Sequence, residues 1–541
     1  MELTLAGLAD AEQWQKAGFI LPRYDVAAVR AEAVRAPQWL HFGPGNLFRA
    51  FPAQLLQELL DQGLMSGGVI VAEGHDYEII DKIYTPHDNL CVLVTLRIDG
   101  AFEPVIIGGI AEARKLDAAH ADFARLKEVF SAPTLRMASF TITEKGYNLV
   151  RGDGSMLPDV ERDFAAGPEA PFSYLGKVTA LLHARFLAGE LPVSLVSMDN
   201  CSHNGDRLYD AVRRFAGEWS ARGLVDAAFP AYVDNRDKVG FPWTMIDKIT
   251  PRPDDGVAGR LKERGLEGME VIVTAKKSWV APFVNGEEIR YLVIEDWFPN
   301  GRLPLDKVGA VFTDRTTVDK VEKMKVCTCL NPLQTALAIF GCLLSYTGIA
   351  AEMQDDDLVR LLNIIGYDEG LPVVVNPGVI DPWKFIDETM EIRLPNPYIP
   401  DTPQRIVTDT SQKLRVRFGE TIKAYRDRGM DLNTLRLTPL VLAAWCRYLL
   451  GVNDSGAAFE PSPDPLLAEV SAHVAGLRLG DTGPFHDALA PLLADERLFG
   501  VNLYDVGLGG IVETYFTQMM AGPGAVRATL HQAVKAGRAE G

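Results

Sequence analysis

The chain has 541 residues, 47% of them hydrophobic and 23% charged, with a formal net charge of −18. This is a globular composition with ample core and room for two to four domains. The acidic balance argues against a nucleic-acid or anionic-membrane partner, since both select a basic face.

In chain order, residues 1–35 read as helix and linker leading to Pro37. The pattern then alternates short β-like runs (39–42, 68–72, 92–98, 137–143, 193–198 and 270–274) with helical stretches such as 51–62 and 173–188. Such alternation predicts a mostly parallel sheet covered by helices. Another strand-like run lies at 291–294, and after about residue 315 helical periods dominate, at 334–346, 355–365, 438–450, 465–474 and 526–536. The expected fold is an α/β domain over 39–314 followed by a mostly α-helical domain over 315–541, with a helical extension over 1–38. No uninterrupted apolar stretch of about 20 residues marks a transmembrane helix, and the N-terminus lacks the basic-then-apolar order of a signal peptide. Cys91, Cys201, Cys327, Cys329, Cys342 and Cys446 show no paired CxxC spacing. Reduced thiols, a cytoplasmic location and no bound metal are expected.

The first strand runs into a glycine turn, His41-Phe-Gly43-Pro-Gly45-Asn46-Leu-Phe-Arg49-Ala50. Gly43 and Gly45 allow the close backbone approach that a pyrophosphate needs, though a G-x-G turn also serves geometry alone. The second strand ends on Glu73, placed to accept hydrogen bonds from an adenosine ribose and to favour NAD over NADP, with Asp76 a second candidate. Polar turns recur at later strand ends, Thr143-Glu144-Lys145-Gly146-Tyr147 and Asp199-Asn200 with His203-Asn204-Gly205, where an open α/β sheet places its ligands. Such loops are also ordinary turns.

Glu322, Lys325 and Asn331 gather where a long apolar helix begins. Lysine serves as a general base only if its pKa falls, which a partly dry pocket would achieve. Taken alone, such a Lys/Asn pair is more often ordinary surface and capping. Farther on, Arg405 and Lys413 lie eight residues apart and would share one face of a helix, able to hold a carboxylated or polyhydroxylated substrate or simply to form a solvated basic face.

Taken together in this order, these segments resemble the mannitol dehydrogenase family of long-chain, metal-independent polyol and sugar-acid dehydrogenases. The likeness runs from Trp39 to the C-terminus and includes Met245-Ile-Asp247-Lys-Ile-Thr250-Pro251, Val293-Ile-Glu295-Asp296 and Ala443-Ala-Trp445-Cys-Arg447-Tyr448-Leu449. The resemblance implies a Rossmann-type domain binding NAD through Gly43, Gly45, Asn46, Glu73, Thr143, Glu144 and Asn200, and a helical substrate domain. It makes Lys325 the catalytic acid/base, Asn200 and Asn331 the amides that hold the reacting oxygen, and Glu322 a gate for the proton. It places Gln334, Arg405, Lys413, Lys145 and Asp247 around a small-molecule sugar acid or polyol.

Two departures stand out. Five residues rather than the family's four separate Lys325 from Asn331, so a bulge or shifted turn must absorb an insertion. Gln334 stands where the family has histidine, and it can hydrogen-bond a hydroxyl but cannot carry charge. The expected reaction is D-mannonate/D-fructuronate interconversion, with mannitol 2-dehydrogenation or another polyol as alternative, and a catalytically silent nucleotide- or sugar-binding relative as the alternative of another class. Nothing in the sequence sets the oligomeric state.

Overall fold

Trp39–Phe42 (β1) is buried along its whole length. Leu40 and Phe42 enter one apolar cluster while Trp39 enters another, so the strand is covered on both faces, as central parallel strands are. The same division splits Ile70 and Ala72 from Val69 and Val71 in Val69–Glu73 (β2). Ile110–Lys115 (β3), Met137–Phe140 (β4), Val193–Ser197 (β5) and Val239–Gly240 (β6) complete the sheet. All its pairings are parallel, and the spatial order is β3-β2-β1-β4-β5-β6. That is the order of a doubly wound dinucleotide-binding sheet, whose ligand crevice lies beyond the carboxyl ends of the strands where the order reverses, between β1 and β4.

The structure is a computed structural model describing residues 1–536. It divides into two compact units, Met1–Asp319 and Lys320–Gly541. The helices Ala11–Lys16 and Val26–Arg35 belong to the first unit, where Trp14 is fully buried and Ile20 bridges Val105. Beyond the main sheet, Cys91–Leu96 pairs antiparallel with Phe102–Ile107 and parallel with Phe283–Glu287. Thr244–Asp247 runs antiparallel to Tyr291–Glu295.

Two of the expected strands therefore lie outside the parallel sheet. Residues 92–98 sit in the side sheet, and 270–274 contribute only the two-residue strand Ile272–Val273. Alternation of apolar residues marks a strand but not its sheet.

Among the described residues the second unit contains helices and no strands. The helical run Arg315–Leu343 is 29 residues long, and by length and composition it could cross a membrane. That was not expected from the sequence, where Asn331, Pro332 and Gln334 interrupt the apolar pattern. In the structure 78% of its apolar window is buried inside the protein, as in a core helix.

Candidate active site

The turn after β1 is held by a chain of buried hydrogen bonds. The Trp39 indole donates to the Ser139 hydroxyl at 2.7 Å, His41 Nδ1 lies 2.7 Å from the same hydroxyl, and His41 Nε2 lies 2.9 Å from the Thr141 hydroxyl. Thr141 spends its own proton on the Gly43 carbonyl at 2.7 Å. It must then accept from His41 Nε2–H, which leaves Nδ1 to accept from Ser139. His41 is thus neutral, with burial pushing its pKa down to about 3. The imidazole, read from sequence only as part of a turn, is a structural strut under the glycines.

Gly43 has φ +81°, and a Cβ built on it would lie 2.4 Å from the Thr141 carbonyl oxygen. Only glycine fits here, by conformation and by space. Gly43→Ala should cost about 1–3 kcal/mol from backbone strain and should weaken dinucleotide binding at least tenfold. Thermal unfolding and NADH fluorescence titration would measure both, and an alanine variant with wild-type affinity would show that the turn does not face the ligand.

Gly43 and Gly45 line a cleft of about 600 Å³ together with Glu73, Asp76, Thr143, Lys145 and Tyr174. Glu73 is buried, accepts the backbone N–H groups of His75 (2.6 Å) and Asp76 (3.0 Å) on one oxygen, and has its pKa raised by burial. Asp76 accepts the Thr274 hydroxyl at 2.6 Å, so it is more committed to the protein. The Tyr174 hydroxyl is buried and bonds no protein group among the described residues. A glycine-walled floor, an acid at the end of β2 and an orphaned hydroxyl fit a dinucleotide. Asn46 lies beside them in sequence but turns its amide oxygen to Arg49 at 2.9 Å, and Glu144 pairs with Arg207 at 3.0 Å on the surface. Neither side chain is among those lining the cleft.

β4 stops at Phe140 rather than at 143 as expected, because Asp199 captures the next residues. Its two carboxylate oxygens accept the backbone N–H groups of Ile142 (2.9 Å) and Thr143 (2.8 Å) and the Tyr147 hydroxyl (2.5 Å). Burial raises its pKa while these bonds oppose the shift. The clamp holds Thr143 at φ +66°, a strained conformation for a β-branched residue and one that structures keep mainly at functional sites. In Asp199→Asn the amide must turn its NH2 towards one donor. A loss of roughly 2–3 kcal/mol is expected, read as a lower unfolding midpoint; an unchanged midpoint would mean the turn is held by other groups.

Asn200, next along, is exposed at the end of β5. Behind it Asn204 is fully buried and bonds the Asp199 carbonyl and Thr244, fastening the loop to the neighbouring strand that ends on buried Asp247.

In the second unit, Lys325 is 3% exposed and opens a π-helical turn, Lys325–Cys329. The Leu330 N–H closes that turn on the Lys325 carbonyl at 3.1 Å, five residues back. A π-turn is how a helix takes in one extra residue without losing register on either side. Such a turn is one way to absorb the extra residue expected between Lys325 and Asn331. Glu322 is half-buried one turn earlier. Asn331 starts the helix Asn331–Leu343, with half-buried Gln334 in its first turn.

The segment carrying Arg405 and Lys413 is not one helix. Pro403–Ile406 ends, Asp409 takes φ +55°, and Thr410–Leu414 begins anew. Arg405 is bound through two nitrogens to Asp401 at 2.6 and 2.5 Å, whereas Lys413 bonds the carbonyls of Ile406 and Thr408. Among the described residues no group of three or more His, Cys, Asp or Glu side chains is arranged to hold a metal.

Residues 37–307 match the sequence profile of the mannitol dehydrogenase Rossmann domain and residues 317–507 that of the mannitol dehydrogenase C-terminal domain. The chain belongs to the mannitol dehydrogenase family. Within it, the chain is 50% identical to the D-mannonate oxidoreductase of Thermotoga maritima over 544 aligned residues, covering 100% of both chains. It is 31% identical to the mannitol 2-dehydrogenase of Cereibacter sphaeroides, over 82% of this chain and 86% of that one. Among solved structures, the Pseudomonas fluorescens mannitol 2-dehydrogenase in ternary complex with NAD and D-mannitol superposes with a TM-score of 0.72 at 26% identity, covering 99% of this chain and all of that one. The Rossmann-type and helical domains expected of a mannitol dehydrogenase are both present.

Proposed function

We propose that the protein is an NAD-dependent oxidoreductase interconverting D-mannonate and D-fructuronate. The observation that carries this reading is the full-length, 50% identical match to a D-mannonate oxidoreductase. Gly43, Gly45, Glu73, Thr143 and Tyr174 would hold the dinucleotide, and Glu73 would repel the 2′-phosphate of NADP. NAD, when bound, takes up or supplies the hydride.

The protein's part is orientation and proton transfer. Lys325 takes the proton of the substrate hydroxyl during oxidation and returns it during reduction. Asn200 and Asn331 donate amide N–H groups to the reacting oxygen as its negative charge grows. Glu322, one turn before Lys325, passes the proton on, and Gln334 positions a substrate hydroxyl without carrying charge. The six unpaired cysteines fit a reducing compartment, in keeping with a cytoplasmic enzyme.

The test is NADH oxidation by the purified protein with fructuronate, tagaturonate, fructose and xylulose offered separately, repeated with NADPH and with EDTA. Turnover on fructuronate, weaker with NADPH and unchanged by EDTA, is expected. Turnover confined to fructose would make it a mannitol dehydrogenase instead, and saturable NADH binding without any turnover would make it a silent relative.

A further inference from the structure

Lys413 and Arg417 stand four residues apart, on the short helix Thr410–Leu414 and the π-turn Arg415–Gly419. Both are half-buried, and among the described residues neither has a carboxylate within ion-pair distance. The nearest acids are otherwise engaged. Asp464 accepts the Ser411 N–H and hydroxyl and the Leu466 N–H, and Asp401 is taken by Arg405. Asp409, which adjoins the helix, and Asp464 act on the Lys413 charge from a distance but form an ion pair with neither cation. Burial and the facing Arg417 push the Lys413 pKa down to about 8, against the weaker opposing pull of Asp409 and Asp464.

Their position is specific. One Arg417 nitrogen donates to the Thr335 hydroxyl, and that hydroxyl donates to the Asn331 carbonyl at 2.7 Å. Thr335 lies one turn beyond Asn331 on the same helix face, and the Arg417 π-turn packs against the Lys325 π-turn. The remaining N–H groups of the guanidinium meet no protein acceptor among the described residues, and Lys413 spends its ammonium on two carbonyls, leaving one donor over. A planar guanidinium fork with a second cation beside it matches a carboxylate.

We propose that Arg417, assisted by Lys413, binds the carboxylate of the substrate and is the residue that selects a sugar acid over a neutral polyol. This rests on the sugar-acid reading above. It also moves the carboxylate contact from Arg405, whose guanidinium is already paired with Asp401, to a residue that the sequence pattern did not single out.

The test is steady-state kinetics of Arg417→Gln, Arg417→Lys and the wild type, with fructuronate and with fructose as ketose, alongside NADH affinity and unfolding midpoint. For Arg417→Gln, KM for fructuronate should rise about 10- to 100-fold, the range for loss of a hydrogen bond to a charged group. Fructose kinetics and NADH affinity should be unchanged. Arg417→Lys should recover part of the loss, because it restores charge but not the fork. If KM rises equally for both ketoses, or if fructuronate kinetics do not change, the carboxylate assignment is wrong while the proposed function stands. Wild-type turnover confined to uncharged ketoses would overturn both, and turnover on a different ketouronate with the same Arg417 dependence would keep the carboxylate site and change only the sugar. Should Arg417→Gln fail to fold, Arg417→Lys decides the matter alone: KM for fructuronate should rise while fructose kinetics, NADH affinity and the unfolding midpoint hold, and an equal rise for both ketoses would overturn the assignment.

Discussion

Lys325→Met should lower kcat by about 10³-fold, within the range that a positioned acid/base contributes, while NADH affinity stays within about twofold. Methionine keeps the length and flexibility of lysine and suits the site, since Lys325 is 3% exposed and begins a buried turn. Folding should therefore survive, and the loss can be read as chemistry. Lys323 cannot substitute, because it is exposed, and two residues along a helix turn it to another face. Because only the proton acceptor is removed, kcat and kcat/KM should fall together. Turnover within tenfold of wild type would place the acid/base elsewhere.

Glu352→Gln should stabilise the protein at neutral and alkaline pH. Glu352 is fully buried, both its carboxyl oxygens are without hydrogen-bond partners among the described residues, and Gly341 leaves no more than the space they fill. Burial, with smaller contributions from Asp355 and Asp401, raises its pKa from 4.5 to about 9. Between those values the folded protein holds a proton that the unfolded chain has lost. Stability is therefore fully present below about pH 4.5 and falls as pH rises towards 9. By pH 7 the cost is roughly 3 kcal/mol, and it grows further up to pH 9. Glutamine has nearly the same shape and does not ionise, so its unfolding midpoint should lie several degrees above wild type at pH 7.5 and converge with it near pH 5. Parallel pH profiles for the two proteins would contradict the buried neutral carboxyl.

Legibility in the sequence followed the range of the interactions concerned. β1, β2 and β5 were visible because apolar runs buried on both faces carry their signal locally, and the glycine turn, Glu73 and the Lys325–Asn331 spacing follow from residues close in sequence. The early end of β4 was not visible, since it is set by Asp199 reaching back 57 residues to Ile142. Arg405 and Lys413 seemed to share a helix because eight residues equal about two turns, but Asp409 in a left-handed conformation breaks the segment. The π-turn could be anticipated only as some way of absorbing an extra residue. Arg417 was overlooked because its meaning lies in what is missing around it, an acid within reach, and a sequence does not display an absence in space.

Hydride transfer from the nicotinamide to the keto carbon can be followed by isotope. NADH carrying deuterium at both C4 positions is mixed with fructuronate and the purified protein, and the product is analysed by mass spectrometry and NMR. D-mannonate with a single deuterium on the newly formed carbinol carbon is expected. Fructuronate left unreduced, or a product without deuterium at that carbon, would contradict the proposed hydride transfer.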